Sequence, residues 1–201
     1  MTRVAIIPAR GGSTRIPRKN IRPFHGRPII EYSIETAARS GLFTRGIWVS
    51  TEDPEIAKIA WAAGAKVHPR QKHLAENDVG TQDLMAAVLR ELWPIAGEMR
   101  PALACCIYPC APLMCTGDLH DGLEAVIEGP TPYAYSVGPA GKDAGQRYWG
   151  LTSAFLEHVP LDHPHTKRVK IPAGRVCDIN TFDDWERAHY LYQAMTQVAR
   201  P

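Results

Sequence analysis

A chain of 201 residues with 45% hydrophobic content is long enough to bury the core of one domain without disulfides or a structural metal. The formal net charge of +2 argues against broad coating of nucleic acid or of an anionic membrane, and no apolar stretch approaches the roughly 20 residues of a membrane span. We therefore expect a single domain over residues 1–201, located in the cytoplasm, with neither nucleic acid nor membrane as a partner.

The first part of the chain alternates short β-branched runs with segments of helical period, which is typical of a parallel sheet wrapped by helices. The runs predicted as strands are residues 4–8, 46–50 and 65–68. A helix is predicted from Pro28 to a stop at Gly41. Its expected inward face holds Ile30, Ile34, Ala37 and Ala38. A second helix is predicted from Asp53 as N-cap to Gly64.

The rest of the chain continues this alternation. Residues 102–108 are a nearly continuous apolar run, which predicts a strand covered on both faces at the middle of the sheet. The other predicted elements are a helix capped by Thr81, a helix over 116–128, a strand over 133–137, a loop over 138–145 and a last helix with a capping box at Thr181 and Asp184. The predicted fold is α/β, a doubly wound and mostly parallel sheet with helices on both faces.

The loop after the first strand carries the strongest chemical signal. Residues 9–20 spell ARGGSTRIPRKN, and no carboxylate precedes Glu31. Ligands of an open parallel sheet bind beyond the carboxyl ends of its strands, which is where this loop starts. Glycine amides and four cations would form a cradle for a triphosphate: Arg10, Arg15, Arg18 and Lys19. The alternative is a solvated basic loop; neither a Walker motif nor a dinucleotide fingerprint is present.

Five segments in order resemble the acylneuraminate cytidylyltransferase family, whose members make CMP-activated nonulosonic acids. They are AIIPARGGSTRIPRKNIRPFHGRPIIEYSIE, VSTEDPEIAKIA, the stretch at 70–81 with LAENDVGT, IYPCAPL and RVCDINTFDDWERA. A shorter segment at 143–150, DAGQRYWG, resembles the pseudaminic acid branch of that family. The resemblance implies a Rossmann-like fold of the nucleotide-diphospho-sugar transferase type. It also implies transfer of CMP from CTP to pseudaminic acid with release of pyrophosphate, for surface glycan or flagellin glycosylation.

Roles for single residues follow from the loop and the resemblance together. The expected nucleotide-binding residues are Ala9, Arg10, Gly11, Gly12, Ser13, Arg15, Lys19, Asn20, Arg70 and Thr81. The expected catalytic residues are Arg10, Lys19 and Asp178. Asp178 and Asn180 would hold the cofactor Mg²⁺, and Asp143 and Gln146 would bind the sugar acid.

Four departures from the family pattern leave alternatives open. Thr14 stands where the family has lysine, Asn180 replaces a carboxylate, and Cys110 stands where threonine is common. The family resemblance also implies a homodimer, to which a β-rich insertion in this region contributes contacts while enclosing the sugar. Here the segment around 138–150 is short, which weakens the expected homodimer and leaves the sugar pocket open. The alternatives are a synthetase for sialic or legionaminic acid, a homologue that binds the nucleotide without efficient catalysis, and a nicotinamide oxidoreductase.

Overall fold

The computed structural model describes residues 1–76, 78–94 and 99–198, and a seven-stranded sheet lies at the centre of this part of the chain. The strands in chain order are β1 (Arg3–Pro8), β2 (Pro23–Phe24), β3 (Arg27–Pro28), β4 (Ile47–Thr51), β5 (Lys66–Pro69), β6 (Leu103–Ile107), β7 (Tyr133–Val137), β8 (Asp143–Leu151) and β9 (Lys167–Lys170). The main sheet has the order β5-β4-β1-β6-β8-β7-β9, and β2 pairs with β3 apart from it. The predicted central position of the apolar run at 102–108 is confirmed, because β6 is fourth of the seven strands.

Strand direction decides where a ligand can bind. Strands β5, β4, β1 and β6 are parallel neighbours, while β8 is antiparallel to both β6 and β7, and β9 is parallel to β7. The mostly parallel sheet is therefore confirmed. The carboxyl ends of β1, β4, β5 and β6 meet at one edge, from which the loop at residues 9–20 extends.

Helices cover both faces of the sheet, as predicted. Those of the described residues are α1 (Ile29–Arg39), α2 (Pro54–Ala62), α3 (Thr81–Leu92), α4 (Thr116–Ile127), α5 (Thr152–Leu156) and α6 (Phe182–Val198). Ala5 and Ile7 of β1 share a core cluster with α1, α2 and α4, whereas the alternate residues Val4 and Ile6 share one with α3 and α5. No helix in the described ranges is both long enough and apolar enough to cross a bilayer.

The helix starts test three local predictions. The Asp53 carboxylate accepts hydrogen bonds from the amides of Glu55 and Ile56, so the N-cap of α2 is confirmed. Thr181 and Asp184 exchange side-chain and backbone hydrogen bonds before α6, which confirms the capping box. Thr81 is not a cap: Gly80 is the N-cap residue of α3, and the Thr81 hydroxyl pairs instead with the phenol of Tyr108 at 3.0 Å.

Other predictions were wrong at the level of single residues. Helix α1 begins at Ile29, so Pro28 is its N-cap residue rather than its first helical residue. Ala38 is exposed, because it lies one residue beyond the buried stripe that ends with Ala37. The loop predicted over 138–145 ends early, since β8 starts at Asp143.

Strands β8 and β9 and helix α5 were not predicted. Strand β8 contains Asp143, Ala144 and two glycines, which are residue types depleted in strands. Hydrogen bonds to β6 on one side and β7 on the other hold it in place, and seven of its nine residues are buried. Its position is thus set by pairing with distant strands and not by local propensity.

Candidate active site

A cleft of about 300 Å³ lies at the carboxyl ends of β1 and β6. The predicted site residues that line it are Arg10, Ser13, Arg15, Lys19, Asn20, Arg70, Thr81, Asp178 and Asn180. Ala9, Gly11, Gly12, Asp143 and Gln146 are not among its lining residues. The structure thus brings the basic loop together with segments more than 150 residues away along the chain.

Asn20 fixes the basic loop against the sheet. Its amide nitrogen donates to the backbone carbonyl of Arg10 at 2.8 Å, and its amide oxygen accepts from the thiol of Cys110 at 3.2 Å. Asn20 is 6% exposed, so both bonds are shielded from water. Asn20 therefore connects the segment that follows β1 to the segment that follows β6, and these two segments form part of the cleft wall.

Gly11 and Ala9 pack the basic loop against the rest of the protein. A Cβ atom on Gly11 would lie 2.4 Å from the Asp53 carboxylate, so glycine is required for the loop to pack on the start of α2. The Gly11 amide donates to Glu52 Oε1 at 2.7 Å, and Ala9 is fully buried. A Cβ atom on Gly12 would meet nothing within 4 Å. The close approach that Gly11 permits is therefore to the protein's own α2 and not to a ligand.

Three cations of the loop line the cleft, where four were predicted. Arg18 points away from the cleft and donates hydrogen bonds to Asp53 and Glu55. These bonds, first of all the one to Asp53, raise the pKa of Arg18 above the ordinary arginine value. Arg10, Arg15 and Lys19 remain in the cleft wall. The place of the fourth cation is taken by Arg70, which follows β5.

Arg70 is a buried cation with free hydrogen-bonding capacity. It is 7% exposed, and its guanidinium donates to the hydroxyl and to the carbonyl oxygen of Ser50, at 3.2 and 2.7 Å. Burial lowers its pKa to about 10, so it stays charged at neutral pH. Its Nη1 atom has no hydrogen-bond partner among the described residues. Such a group is stabilised by an anion in the cleft.

The opposite wall is the segment before α6. The Asn180 amide nitrogen donates to Asp178 Oδ2 at 2.6 Å, and its oxygen accepts from Arg15 Nη2 at 3.0 Å. Lys19 Nζ donates to the carbonyl oxygen of Ile179 at 2.5 Å. These bonds connect the basic loop to this segment across the cleft.

Asp178 is the group in this wall that suits a metal ion. Its carboxylate is exposed and lines the cleft, whereas the Asn180 oxygen already accepts from Arg15. Within the described residues, no three His, Cys, Asp or Glu side chains cluster to hold a metal unaided. Mg²⁺ is commonly held by one or two carboxylates together with substrate phosphates. The donor set here fits an ion that arrives with a nucleotide.

Gly145 sets the position of Asp178. It has φ +60°, and a Cβ atom on it would lie 2.8 to 2.9 Å from three atoms of the Asp178 side chain. We predict that Gly145→Ala lowers kcat/KM by about 10- to 100-fold, because it would displace Asp178, the expected catalytic carboxylate, and a shift near 1 Å at such a group has effects of this size. Steady-state kinetics measures it.

Gly64→Ala is the matched control for Gly145→Ala. Gly64 also has positive φ, +87°, but a Cβ atom there meets nothing within 4 Å. The control carries the same backbone strain without the clash, and its kinetics should match those of the wild type. Equal kinetic losses in the two variants would show that strain alone is responsible and that Gly145 has no role in placing Asp178.

The two residues predicted to bind the sugar lie outside the cleft wall. Asp143 is exposed, and its carboxylate accepts from the Tyr148 hydroxyl and the Gly145 amide. Gln146 is 1% exposed, and its amide nitrogen donates to the Arg175 carbonyl at 2.6 Å. Sugar binding by Asp143 stays a prediction. For Gln146 the burial argues against direct contact.

Several lining residues were not among the predicted site residues. They are Pro8, Thr14, Leu74, Glu76, Val79, Leu84, Tyr108, Pro109, Gly145 and Ile179. Tyr108 had a usable signal, because it directly follows the central buried strand. Cys110 also lines the cleft, but burial raises the pKa of its thiol to about 12, so it is neutral and no nucleophile.

The chain is similar to known cytidylyltransferases. Residues 4–124 match the family model described as cytidylyltransferase. The chain is 32% identical to the pseudaminic acid cytidylyltransferase of Campylobacter jejuni serotype O:2, over 99% of this chain and 100% of that protein. This alignment spans 236 positions, more than the 201 residues here, so the relative contains residues that have no counterpart in this chain.

Solved structures support the fold independently. A CMP:2-keto-3-deoxy-manno-octonic acid synthetase complexed with CTP superposes with a TM-score of 0.75 at 15% identity, over 97% of this chain and 100% of that one. Rv0371c of Mycobacterium tuberculosis, in complex with manganese, gives 0.66 at 13% identity, over 94% and 98%. The full-length relative and the matched family model are both cytidylyltransferases, so the alternative of a nicotinamide oxidoreductase is excluded. The chain belongs to the cytidylyltransferase family and is a nucleotidyltransferase.

Proposed function

We propose that the protein transfers CMP from CTP to a nonulosonic acid, with pseudaminic acid as the preferred acceptor, and releases pyrophosphate. The observation that carries this proposal is the cleft at the strand ends, where Arg10, Arg15, Lys19 and Arg70 lie opposite Asp178. Guanidinium and ammonium groups around one cleft suit a triphosphate. The full-length similarity to the Campylobacter enzyme and the DAGQRYWG segment favour pseudaminic acid as acceptor.

The proposed reaction is an in-line displacement at phosphorus. The anomeric hydroxyl oxygen of the sugar acid forms a bond to the α-phosphorus of CTP, while the bond from that phosphorus to the bridging β-phosphate oxygen breaks. The hydroxyl proton passes to solvent, and pyrophosphate leaves with the electron pair. Arg10, Lys19 and Arg15 neutralise charge on the departing phosphates, and the fixed cleft holds the reactants in line.

We propose Mg²⁺ as the cofactor, held by Asp178 together with the triphosphate oxygens. A bound Mg²⁺ ion supplies Lewis-acid neutralisation of the phosphate charge. The manganese in the related Rv0371c structure supports the use of a divalent ion. Asn180 takes the second position of the metal pair in the sequence, but its present role is to bridge Asp178 and Arg15.

Asn180→Asp tests the metal assignment. A second carboxylate beside Asp178 should strengthen Mg²⁺ binding, and Arg15 can pair with the added charge. We expect the Mg²⁺ concentration for half-maximal activity to fall by about tenfold, the size of change that substitutions around metal sites produce. The measurement is pyrophosphate release against Mg²⁺ concentration. An unchanged half-saturation point would place the metal away from residue 180.

The proposed function is tested by pyrophosphate release from CTP and Mg²⁺ with a panel of pseudaminic, legionaminic and N-acetylneuraminic acids. Highest turnover with pseudaminic acid supports the proposal, and preference for another acid supports the corresponding synthetase. UTP in place of CTP is the control for base selection. CTP binding without turnover on any acid would favour the homologue with weakened catalysis, and Asn180→Asp should then restore activity.

We propose further that homodimer contacts are weaker than the resemblance implies. The connection between β7 and β8 is a tight turn, in which Gly138 and Lys142 pair through their backbones at 2.8 Å. This leaves little surface for a substrate or dimerisation segment around 138–150. We also propose that the enzyme acts in the cytoplasm, where CTP is available, and that its product serves surface glycan or flagellin glycosylation.

A further inference from the structure

We propose that Ser50, His68 and Glu91 form a hydrogen-bonded chain that positions Arg70 for the nucleotide. The inference rests on the proposed function, since Arg70 acts only if a phosphate occupies the cleft. None of the three residues lines the cleft. They are positioning residues, which act through the guanidinium of Arg70.

Sheet register brings the first two residues together. Ser50 of β4 and His68 of β5 are direct partners in the parallel pairing, on the face covered by α3. The Ser50 hydroxyl lies 3.1 Å from His68 Nδ1, and His68 Nε2 lies 2.9 Å from a carboxylate oxygen of Glu91 in α3. Gln71 donates to the other Glu91 oxygen at 2.9 Å. The chain runs from the surface of α3 to the cleft.

One arrangement of protons satisfies every member of this chain. Arg70 Nε–H donates to Ser50 Oγ at 3.2 Å, so the Ser50 hydroxyl is free to donate to His68 Nδ1. His68 is then the neutral tautomer with its proton on Nε2, which donates to Glu91. Each group is both held and oriented by its neighbour. The guanidinium therefore has a fixed plane before a ligand arrives.

Protonation of His68 would disturb this order. A proton on Nδ1 would donate to Ser50, and the Ser50 hydroxyl proton would have to turn toward Arg70, a cation. His68 is 3% exposed, and burial lowers its pKa. Glu91 favours the charged imidazole and Arg70 opposes it, and among the described residues these two are the charged groups that act on the ring. At neutral pH the ring is uncharged and the chain is intact.

The experiment compares CTP binding by calorimetry in Ser50→Ala, His68→Phe and the double variant. Loss of an oriented hydrogen bond to a charged group is expected to raise the Kd for CTP by about tenfold in each single variant. The double variant should be no weaker than Ser50→Ala, because His68 acts through Ser50. The KM for CTP should rise with Kd while kcat at saturating CTP stays within about twofold.

A pH series separates positioning from a merely structural role. In the wild type the Kd for CTP should rise only at a pH below the ordinary histidine value of about 6.5, because burial lowers the pKa of His68 and delays its protonation. Glu91→Gln removes the carboxylate that favours the imidazolium, so this rise should move to lower pH. CTP itself takes up a proton in the same range, and the comparison between variants removes that contribution. If the Kd for CTP rises at the same pH in the wild type and in Glu91→Gln, the proposal is overturned.

Controls distinguish the inference from the proposed function. Ser50→Thr retains the hydroxyl and should keep wild-type affinity, and thermal melts show which variants are folded. If Arg70→Ala weakens CTP binding while Ser50→Ala and His68→Phe do not, the positioning chain is wrong and the cleft assignment stands. Additive losses in the double variant would also overturn the chain. If the wild type does not bind CTP, the proposed function itself fails.

Discussion

Asp178→Asn is expected to lower kcat by about 100-fold or more, because Lewis-acid neutralisation of transferring phosphates contributes several kcal/mol. Asp178 is exposed, and its hydrogen bond within the described residues is the one that its carboxylate accepts from Asn180. An asparagine at 178 has the same shape and can still accept that bond. The fold should therefore be unchanged, and the loss should lie in the metal-dependent step. Pyrophosphate release at saturating CTP and sugar acid measures it.

Asp183→Asn is the matched control for Asp178→Asn. Asp183 is an exposed carboxylate in the first turn of α6, five residues on, and does not line the cleft. It carries the same change of charge and should leave kcat close to the wild-type value. A higher Mg²⁺ concentration should recover part of the activity of Asp178→Asn. The activity of the Asp183→Asn control should not depend on the added Mg²⁺. Wild-type activity in Asp178→Asn at low Mg²⁺ would remove Asp178 from the mechanism.

Arg10→Ala is expected to raise the KM for CTP by about 10- to 100-fold, since hydrogen bonds to charged groups contribute about 1.5–3 kcal/mol each. Arg10 lines the cleft, and its hydrogen bond within the described residues is a long one of 3.4 Å to the Ala75 carbonyl. The side chain is thus available to a phosphate and adds little to the fold. The melting temperature should stay close to that of the wild type.

Arg18→Ala is the matched control for Arg10→Ala. Both arginines lie in one basic loop, but Arg18 is directed to Asp53 and Glu55 on α2. Its loss removes a partly exposed ion pair and should change KM by less than about twofold. Similar KM values in the two variants would mean that the loop acts through its net charge alone, and the geometric assignment of Arg10 would be wrong.

Several features of the site were predictable from local sequence. The basic loop follows a buried strand, so its place at the strand ends follows from the rules of parallel sheets. The cap at Asp53 and the capping box at Thr181 depend on residues within a few positions of each other. Family resemblance added Arg70, Thr81 and Asp178, and all three line the cleft.

Other features depend on contacts that no local pattern specifies. Strand β8 was missed because hydrogen bonds to β6 and β7, and not residue preference, hold it in the sheet. Gly11 was expected to admit a ligand, but the atom that requires glycine there belongs to Asp53. Asn180 was expected as a metal ligand. Its amide oxygen instead accepts a hydrogen bond from Arg15, a residue 165 positions earlier in the chain.

The sequence by itself determined the α/β class, the family and the edge of the sheet at which the basic loop lies, because periodicity, caps and motifs act over short distances. Only the tertiary structure decided which cations face the cleft. Arg18 and Arg70 are both basic and lie in segments that follow predicted strands, yet Arg18 pairs with α2 and Arg70 is held in the cleft by Ser50. The physical reason is that the direction of a side chain is set by the partners that folding brings to it, and these partners come from distant parts of the chain.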